Sequence, residues 1–259
     1  MNKPIIIITG ASSGIGAATA RRLAREQVCL TLAARREGRL QELAKEVEAL
    51  GSEALIVPTD VTQRSDIRRM LHATQERWGR VDVLLNNAGI SFDEPLVELK
   101  PDRIRTEVAV NLIAVIECSQ AVLPAMVRRG SGHIINVSSV AGLIGLPGMS
   151  LYSATKFGVI GFSEALMREV HRYHIRVTAF CPGYVMTNFS PFLEKVSAGE
   201  KGLRKPAGLM NPDYIARRIS QVIHHPRRQV ILPYFWSLLA AGARMSPEIA
   251  SYIVPWFIP

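Results

Sequence analysis

The 259-residue chain has only three cysteines, Cys29, Cys118 and Cys181, far apart and each in an apolar stretch. An odd, scattered set excludes a disulfide framework and a cysteine metal site, and predicts a reduced, cytoplasmic protein. The six histidines show no H-x-x-x-H or Cys/His ligand spacing, so no metal is expected. Aromatic residues are sparse and never interleave with a basic run. The formal charge of +9 comes largely from arginines in scattered pairs such as Arg21-Arg22 and Arg128-Arg129. Solvated helix faces account for these without a nucleic-acid partner. Long apolar runs are also missing: Ile5 to Ile8 is too short for a signal segment. The apolar tail from Pro233 to Pro259 is broken by Arg244, Pro247, Glu248 and Pro255, which argues against a transmembrane helix.

What the chain does have is alternation. Pro4 to Thr9 is a β-branched run that breaks at Gly10 into a Gly/Ser loop and a helical stretch, Gly14 to Gln27. Val28 to Ala34 (strand), Gly38 to Leu50 (helix) and Ala54 to Pro58 (strand) complete a β-α-β-α-β pattern with the crossover lengths of a parallel sheet. Helices at Ser65 to Trp78, Pro101 to Arg128, Tyr152 to Tyr173 and Pro212 to His224 then alternate with strands at Val81 to Asn86, His133 to Val137, Ile175 to Cys181 and Gln229 to Leu232. The expected fold is α/β, a single Rossmann-type domain over residues 1–259 with a doubly wound, mostly parallel seven-stranded sheet and helices on both faces.

Within this frame lie residues that carry chemistry. Gly10-Ala11-Ser12-Ser13-Gly14-Ile15-Gly16 stands between a strand and a helix, where a pyrophosphate would meet free backbone N–H groups and the positive end of the helix dipole. The second strand ends Ala34-Arg35-Arg36, where an enzyme selective for the unphosphorylated cofactor would place an acid. Arg35 can instead grip a 2′-phosphate with a forked guanidinium, which predicts NADP(H) over NAD(H), with NAD(H) still possible. Asn86-Asn87-Ala88-Gly89 closes the fourth strand at its carboxyl end, the ligand side of such sheets. Asn111 lies inside a long helix, where asparagine has poor propensity; bracing the fold and catalysis are both open to it. Tyr152 and Lys156 are one helical turn apart, so a phenol and an ammonium share a face, and the ammonium could favour the phenolate. Ser138 and Ser139 end the fifth strand shortly upstream, and a hydroxyl there could hold a substrate carbonyl oxygen while Tyr152 protonates it. A serine hydrolase is disfavoured, since Ser139 lacks a G-x-S-x-G elbow.

Taken together, TGASSGIG (Thr9 to Gly16), Asp60-Val61, NNAG (Asn86 to Gly89), Asn111, Ser139, YSATK (Tyr152 to Lys156) and Pro182-Gly183-Tyr184-Val185-Met186-Thr187 resemble the short-chain dehydrogenase/reductase family, over Ile5 to about Leu232. The resemblance implies reversible hydride transfer between a nicotinamide cofactor and a carbonyl or alcohol. It implies Tyr152 as general acid/base, Ser139 as the group polarising the substrate oxygen, Lys156 as the group lowering the Tyr152 pKa and holding the nicotinamide ribose, and Asn111 as anchor of a water in the proton relay. Cofactor contacts are implied for Gly10, Ser12, Ser13, Gly14, Ile15, Gly16, Asp60, Val61, Asn87, Ala88, Gly89, Pro182, Gly183, Val185 and Thr187. Residues 1–100 would be mainly the dinucleotide-binding half and 101–232 the catalytic half. A homodimer or homotetramer would form through the helices near Pro101 to Arg128 and Leu151 to Tyr173.

Two stretches depart from the alternation. Residues 182–209 mix Pro, Gly, Ser and Lys, with a weak helical patch around Phe189 to Val196, and are expected to form a substrate loop. Leu143, Ile144, Leu146, Met149, Tyr184 and Phe189 are expected to make the substrate pocket apolar, suiting a lipophilic ketone, aldehyde or secondary alcohol. The extension 233–259, with Trp256 and Phe257 near its end, has three readings. A cover over the pocket and an oligomer contact are favoured over a peripheral membrane foothold.

Overall fold

A computed structural model describes residues 3–189, 192, 195, 198–199 and 206–245, the Arg244 side chain excepted. Most of the Phe189 to Val196 patch and the tail beyond Met245 therefore lie outside the described residues. In chain order the elements are β1 (Ile5–Thr9), α1 (Gly14–Ala24), β2 (Cys29–Ala34), α2 (Glu37–Ala49), β3 (Glu53–Pro58), α3 (Arg64–Trp78), β4 (Val83–Asn86), α4 (Pro101–Val108), a π-helical turn (Ala109–Ile113) and α5 (Ala114–Arg129). There follow β5 (Gly132–Val137), a 3-10 turn (Val140–Gly142), α6 (Ser150–Val170), β6 (Ile175–Pro182), α7 (Pro212–His224), β7 (Gln229–Leu232) and α8 (Phe235–Met245).

The seven strands form one sheet in the order β3-β2-β1-β4-β5-β6-β7, every recorded pairing parallel. β1 shows why its sequence is an unbroken isoleucine run: Ile6 and Ile8 face one layer of helices and Ile7 the other, and all are fully buried. The first layer packs Leu23 of α1, Leu40, Leu43 and Val47 of α2 and Ile215 and Ile219 of α7 against the sheet. The second packs Ile67 and Met70 of α3, Cys118, Val122 and Met126 of α5 and Leu166 and Val170 of α6. Strands buried on both faces have no polar side to alternate with. The chain leaves β1 towards β2 on one side and reaches β4 on the other, so a crevice opens above the carboxyl ends of β1 and β4.

Two elements differ from the sequence expectation. The helix expected over Pro101 to Arg128 is interrupted by the π turn, which carries Asn111. The extension forms a helix, α8, whose Trp236 and Ala240, four residues apart, are buried. They pack with Val140, Leu143, Ile144, Leu146 and Ile160 in a third apolar cluster. α8 thus backs one wall of the crevice.

Candidate active site

Crowded backbone shapes the crevice at β1. Gly10 and Gly14 adopt positive φ, 67° and 55°. Gly16, in the first turn of α1, lies so close to the loop that a Cβ there would lie 2.4 Å from the Gly10 carbonyl oxygen and 2.6 Å from Asn87 Nδ2. Asn87 fastens the loop to β4: Nδ2 donates to the Thr9 and Gly10 carbonyls at 2.9 and 3.3 Å, and Asn87 N–H donates to Thr9 Oγ1 at 3.0 Å. Asn86 points the other way, into a buried amide contact with Asn136 at 2.9 Å, and is structural. The Thr187 methyl lies 3.3 Å from where a Cβ on Gly14 would sit.

A cavity of about 450 Å³ runs from this loop to the end of α6. The sequence-predicted residues Gly10, Ser12 to Ile15, Arg35, Asp60-Val61, Asn87 to Gly89, Ser139, Tyr152, Lys156, Pro182-Gly183, Val185 and Thr187 all line it. Gly16 and Asn111 do not; each sits behind the wall. Asn111 is fully buried, and its amide accepts from Ile90 N–H at 2.9 Å and donates to the Ile90 carbonyl at 2.8 Å. The Asn111 side chain thus braces the segment at Ile90.

One further residue was not singled out from the sequence. Arg36, between β2 and α2, donates to Ser12 Oγ through Nε and Nη2 at 3.1 and 2.9 Å and to Ser13 Oγ at 2.6 Å. Arg35 and Arg36 are both exposed and both line the cavity. The available signal was the doubled arginine facing a doubled serine across the crevice.

At the other end, the two serines after β5 divide the work. Ser138 Oγ donates to the Lys156 carbonyl at 2.8 Å and ties β5 to α6. Ser139 opens the 3-10 turn, accepts from Ala141 N–H at 3.1 Å, and hydrogen-bonds the Tyr152 hydroxyl. Phe189 meets the Tyr152 ring edge to face, with centroids 5.8 Å apart. Leu146, Met149, Tyr184 and Phe192 continue an apolar wall, whereas Leu143 and Ile144 turn into the cluster beneath and do not line the cavity. That corrects two of the six expected pocket residues.

Burial dominates the electrostatics. Tyr152 is 9% exposed, and desolvation raises its pKa above the ordinary phenol value; the Ser139 hydrogen bond lowers it, and Glu107, Asp93 and Tyr184 add to the rise. Desolvation is the largest of these influences and sets the upward direction. Lys156 Nζ donates to the Val137 carbonyl at 3.1 Å and sits 5.5 Å from the Tyr152 ring centroid. Burial pushes its own pKa down to about 8, against the upward pull of Glu107 and Cys181.

Fold and cavity together define a doubly wound α/β protein of the dinucleotide-binding type. The chain belongs to the short-chain dehydrogenase family, whose model matches residues 4–196, and is an oxidoreductase of that family. Ketoacyl reductase HetN of Nostoc sp. is 32% identical over 258 residues, covering 97% of this chain and 88% of that protein. Actinorhodin polyketide ketoreductase, solved with NADPH, superposes with a TM-score of 0.81 at 32% identity, over 89% of this chain and 95% of that one. A short-chain dehydrogenase/reductase from Burkholderia phymatum, solved with NAD, superposes with a TM-score of 0.85 at 25% identity, over 96% and 95%.

Proposed function

We propose that this protein is an NADP(H)-dependent oxidoreductase that interconverts a lipophilic carbonyl compound and its alcohol. The observation that carries this reading is that a single cavity joins Ser139, Tyr152 and Lys156 at its buried end to Arg35 and Arg36 at its exposed end. The crowded glycine loop suits a pyrophosphate, because a side chain at Gly16 would fill the space its backbone needs. The bound nicotinamide supplies the hydride.

This chain's residues do the rest. The Ser139 hydroxyl holds the substrate oxygen beside Tyr152, and Tyr152 delivers a proton to that oxygen in reduction or takes it in oxidation. Burial favours the neutral phenol, which makes Tyr152 a competent acid; Lys156, whose charge is costly in this setting, helps compensate the phenolate left behind. Met149, Tyr184, Phe189 and Phe192 exclude water and favour an apolar substrate, in keeping with the ketoacyl reductase activity named for the Nostoc relative. Arg35 and Arg36 present two cations where a 2′-phosphate would project, with Arg36 held in place by Ser12 and Ser13. The same reading includes a homo-oligomer built on α5 and α6, where Ile116 and Phe157 are exposed, as is Ile113 at the end of the π turn before α5.

NADPH oxidation against a panel of aliphatic, aromatic and steroid-like ketones, with NADH in parallel, tests it. Turnover of apolar ketones with NADPH preferred is the expected result. Tight NADPH binding with no turnover across the panel, or equal Michaelis constants for NADPH and NADH, contradicts it.

A further inference from the structure

Glu107 of α4 is 2% exposed, does not line the cavity, and has no role in the chemistry above. It sits just behind that chemistry. After β4 the chain passes Gly89 and Ile90 to Asp93 along the cavity, and two side chains from the following helix hold this segment. Asn111 takes both backbone groups of Ile90, and the Glu107 carboxyl accepts a backbone hydrogen bond from Phe92.

Glu107 Oε1 is nevertheless buried with no hydrogen-bond partner among the described residues. Native structures rarely leave such a group unsatisfied, and a carboxyl is a costly way to brace one backbone N–H. The ionisable groups that act on Glu107 are Asp93, from the held segment, and Lys156, from α6. Tyr152, one turn from Lys156, responds to Glu107 and to Asp93. Arg103, one turn earlier in α4, does not neutralise Glu107: it is ion-paired with Glu94 and lies 5.1 Å from the Phe92 ring centroid.

We propose that Glu107 is a positioning residue of this site, a buried carboxyl that sets the protonation of Lys156 and Tyr152 by gaining or losing its own proton, and so fixes the pH range over which the site works. The inference rests on the assignment of Tyr152 and Lys156 to catalysis. Burial pushes the Glu107 pKa up to about 7, opposed by the Phe92 hydrogen bond, assisted by Asp93 and opposed by Lys156. Burial thus draws Glu107 up and Lys156 down towards the same pH region. As pH rises, the new carboxylate favours the Lys156 ammonium and disfavours the Tyr152 phenolate, so both groups stay protonated to higher pH. A neutral residue at 107 removes that hold, and both should deprotonate earlier.

Carbon-13 NMR of the lysine Cε atoms, with Lys156 assigned by Lys156→Arg, reads this without any need for turnover. Glu107→Gln, close in shape but permanently neutral, should lower the Lys156 midpoint by about 1 pH unit, the low end of the effect of one nearby charge. Glu107→Asp, which keeps the charge, should lower it less. In ketone reduction, the alkaline limb of the kcat profile of Glu107→Gln should move to lower pH by a similar amount. Unchanged midpoints with kcat reduced equally at every pH would show a merely structural role and overturn the proposal. So would Glu107→Asp shifting Lys156 as far as Glu107→Gln. If Glu107→Gln does not fold, infrared difference spectra of the wild-type protein decide: a protonated carboxyl band that titrates near neutral pH supports the proposal, and its absence overturns it. A wild-type protein that reduces no carbonyl would defeat the catalytic reading, while the NMR titration would still report whether Glu107 controls Lys156.

Discussion

Arg36 and Glu107 mark where single residues could and could not be read. Tyr152, Lys156 and Ser139 belong to motifs, and their spacing on a strand end and one helix turn brings them to one cavity wall. Arg36 follows Arg35, and only the facing hydroxyls of Ser12 and Ser13, at 2.6 to 3.1 Å, distinguish it as the anchored cation of the pair. Arg36→Ala should therefore weaken NADPH by roughly tenfold to a hundredfold, the worth of a charge-assisted contact to phosphate, and leave NADH nearly unchanged. Separate Michaelis constants for the two nucleotides check this; an equal loss for both would mean that Arg36 only shapes the glycine loop. Glu107 was not legible because a glutamate in a charged helix such as Pro101–Val108 reads as a solvated residue. What buries it is packing beneath the segment after β4, a contact set by tertiary structure.

At the scale of elements, the strands were the most legible part. Burial on both faces turns them into continuous apolar runs, and the loop glycines punctuate them. The π turn at Ala109–Ile113 left no such mark, since inserting one residue into a helix changes hydrogen bonding without changing residue type. α8 was obscured by the prolines around it, although Trp236 and Ala240 have helical spacing. The junction between the 3-10 turn and α6 yields a second prediction. A Cβ at Gly142 would lie 2.5 Å from the Lys156 carbonyl oxygen and 2.8 Å from Ser138 Oγ, so Gly142→Ala must push the turn carrying Ser139 away from α6. Expected are a stability loss of about 1–3 kcal/mol, as for overpacking elsewhere, and a fall in kcat with NADPH affinity nearly kept, because the glycine loop lies at the other end of the cavity. Calorimetry and fluorescence titration of NADPH separate the two effects; unchanged kcat would contradict the placement of Ser139.

For the whole molecule, acid stability should depend on a residue far from the site. His133 at the start of β5 is 5% exposed, its Nε2 lies 2.9 Å from Thr178 Oγ1, and burial, with Arg176 nearby, pushes its pKa down to about 4. A depressed histidine pKa means that the unfolded chain binds the proton first. No penalty exists above the ordinary value of 6.5; it accumulates as pH falls and levels off below about 4, reaching about 3 kcal/mol by linkage. Urea unfolding should show midpoints dropping between those limits, and His133→Gln should flatten that slope; an unaltered slope would assign acid unfolding to other groups. Sedimentation should give a dimer or tetramer that dissociates when Ile116 and Phe157 are replaced by charged residues, and a wild-type monomer would refute the proposed α5 and α6 contact.

The most direct test of the central claim is a paired measurement on Tyr152→Phe: ketone reduction with NADPH, and NADPH binding by fluorescence. The substitution removes the acidic proton and almost no packing, so kcat should fall by about 10²–10⁴, the usual worth of a positioned general acid, with the NADPH dissociation constant within a few-fold of wild type. Retention of most of the turnover would contradict the account, because Tyr152 would then not be the group that moves the proton.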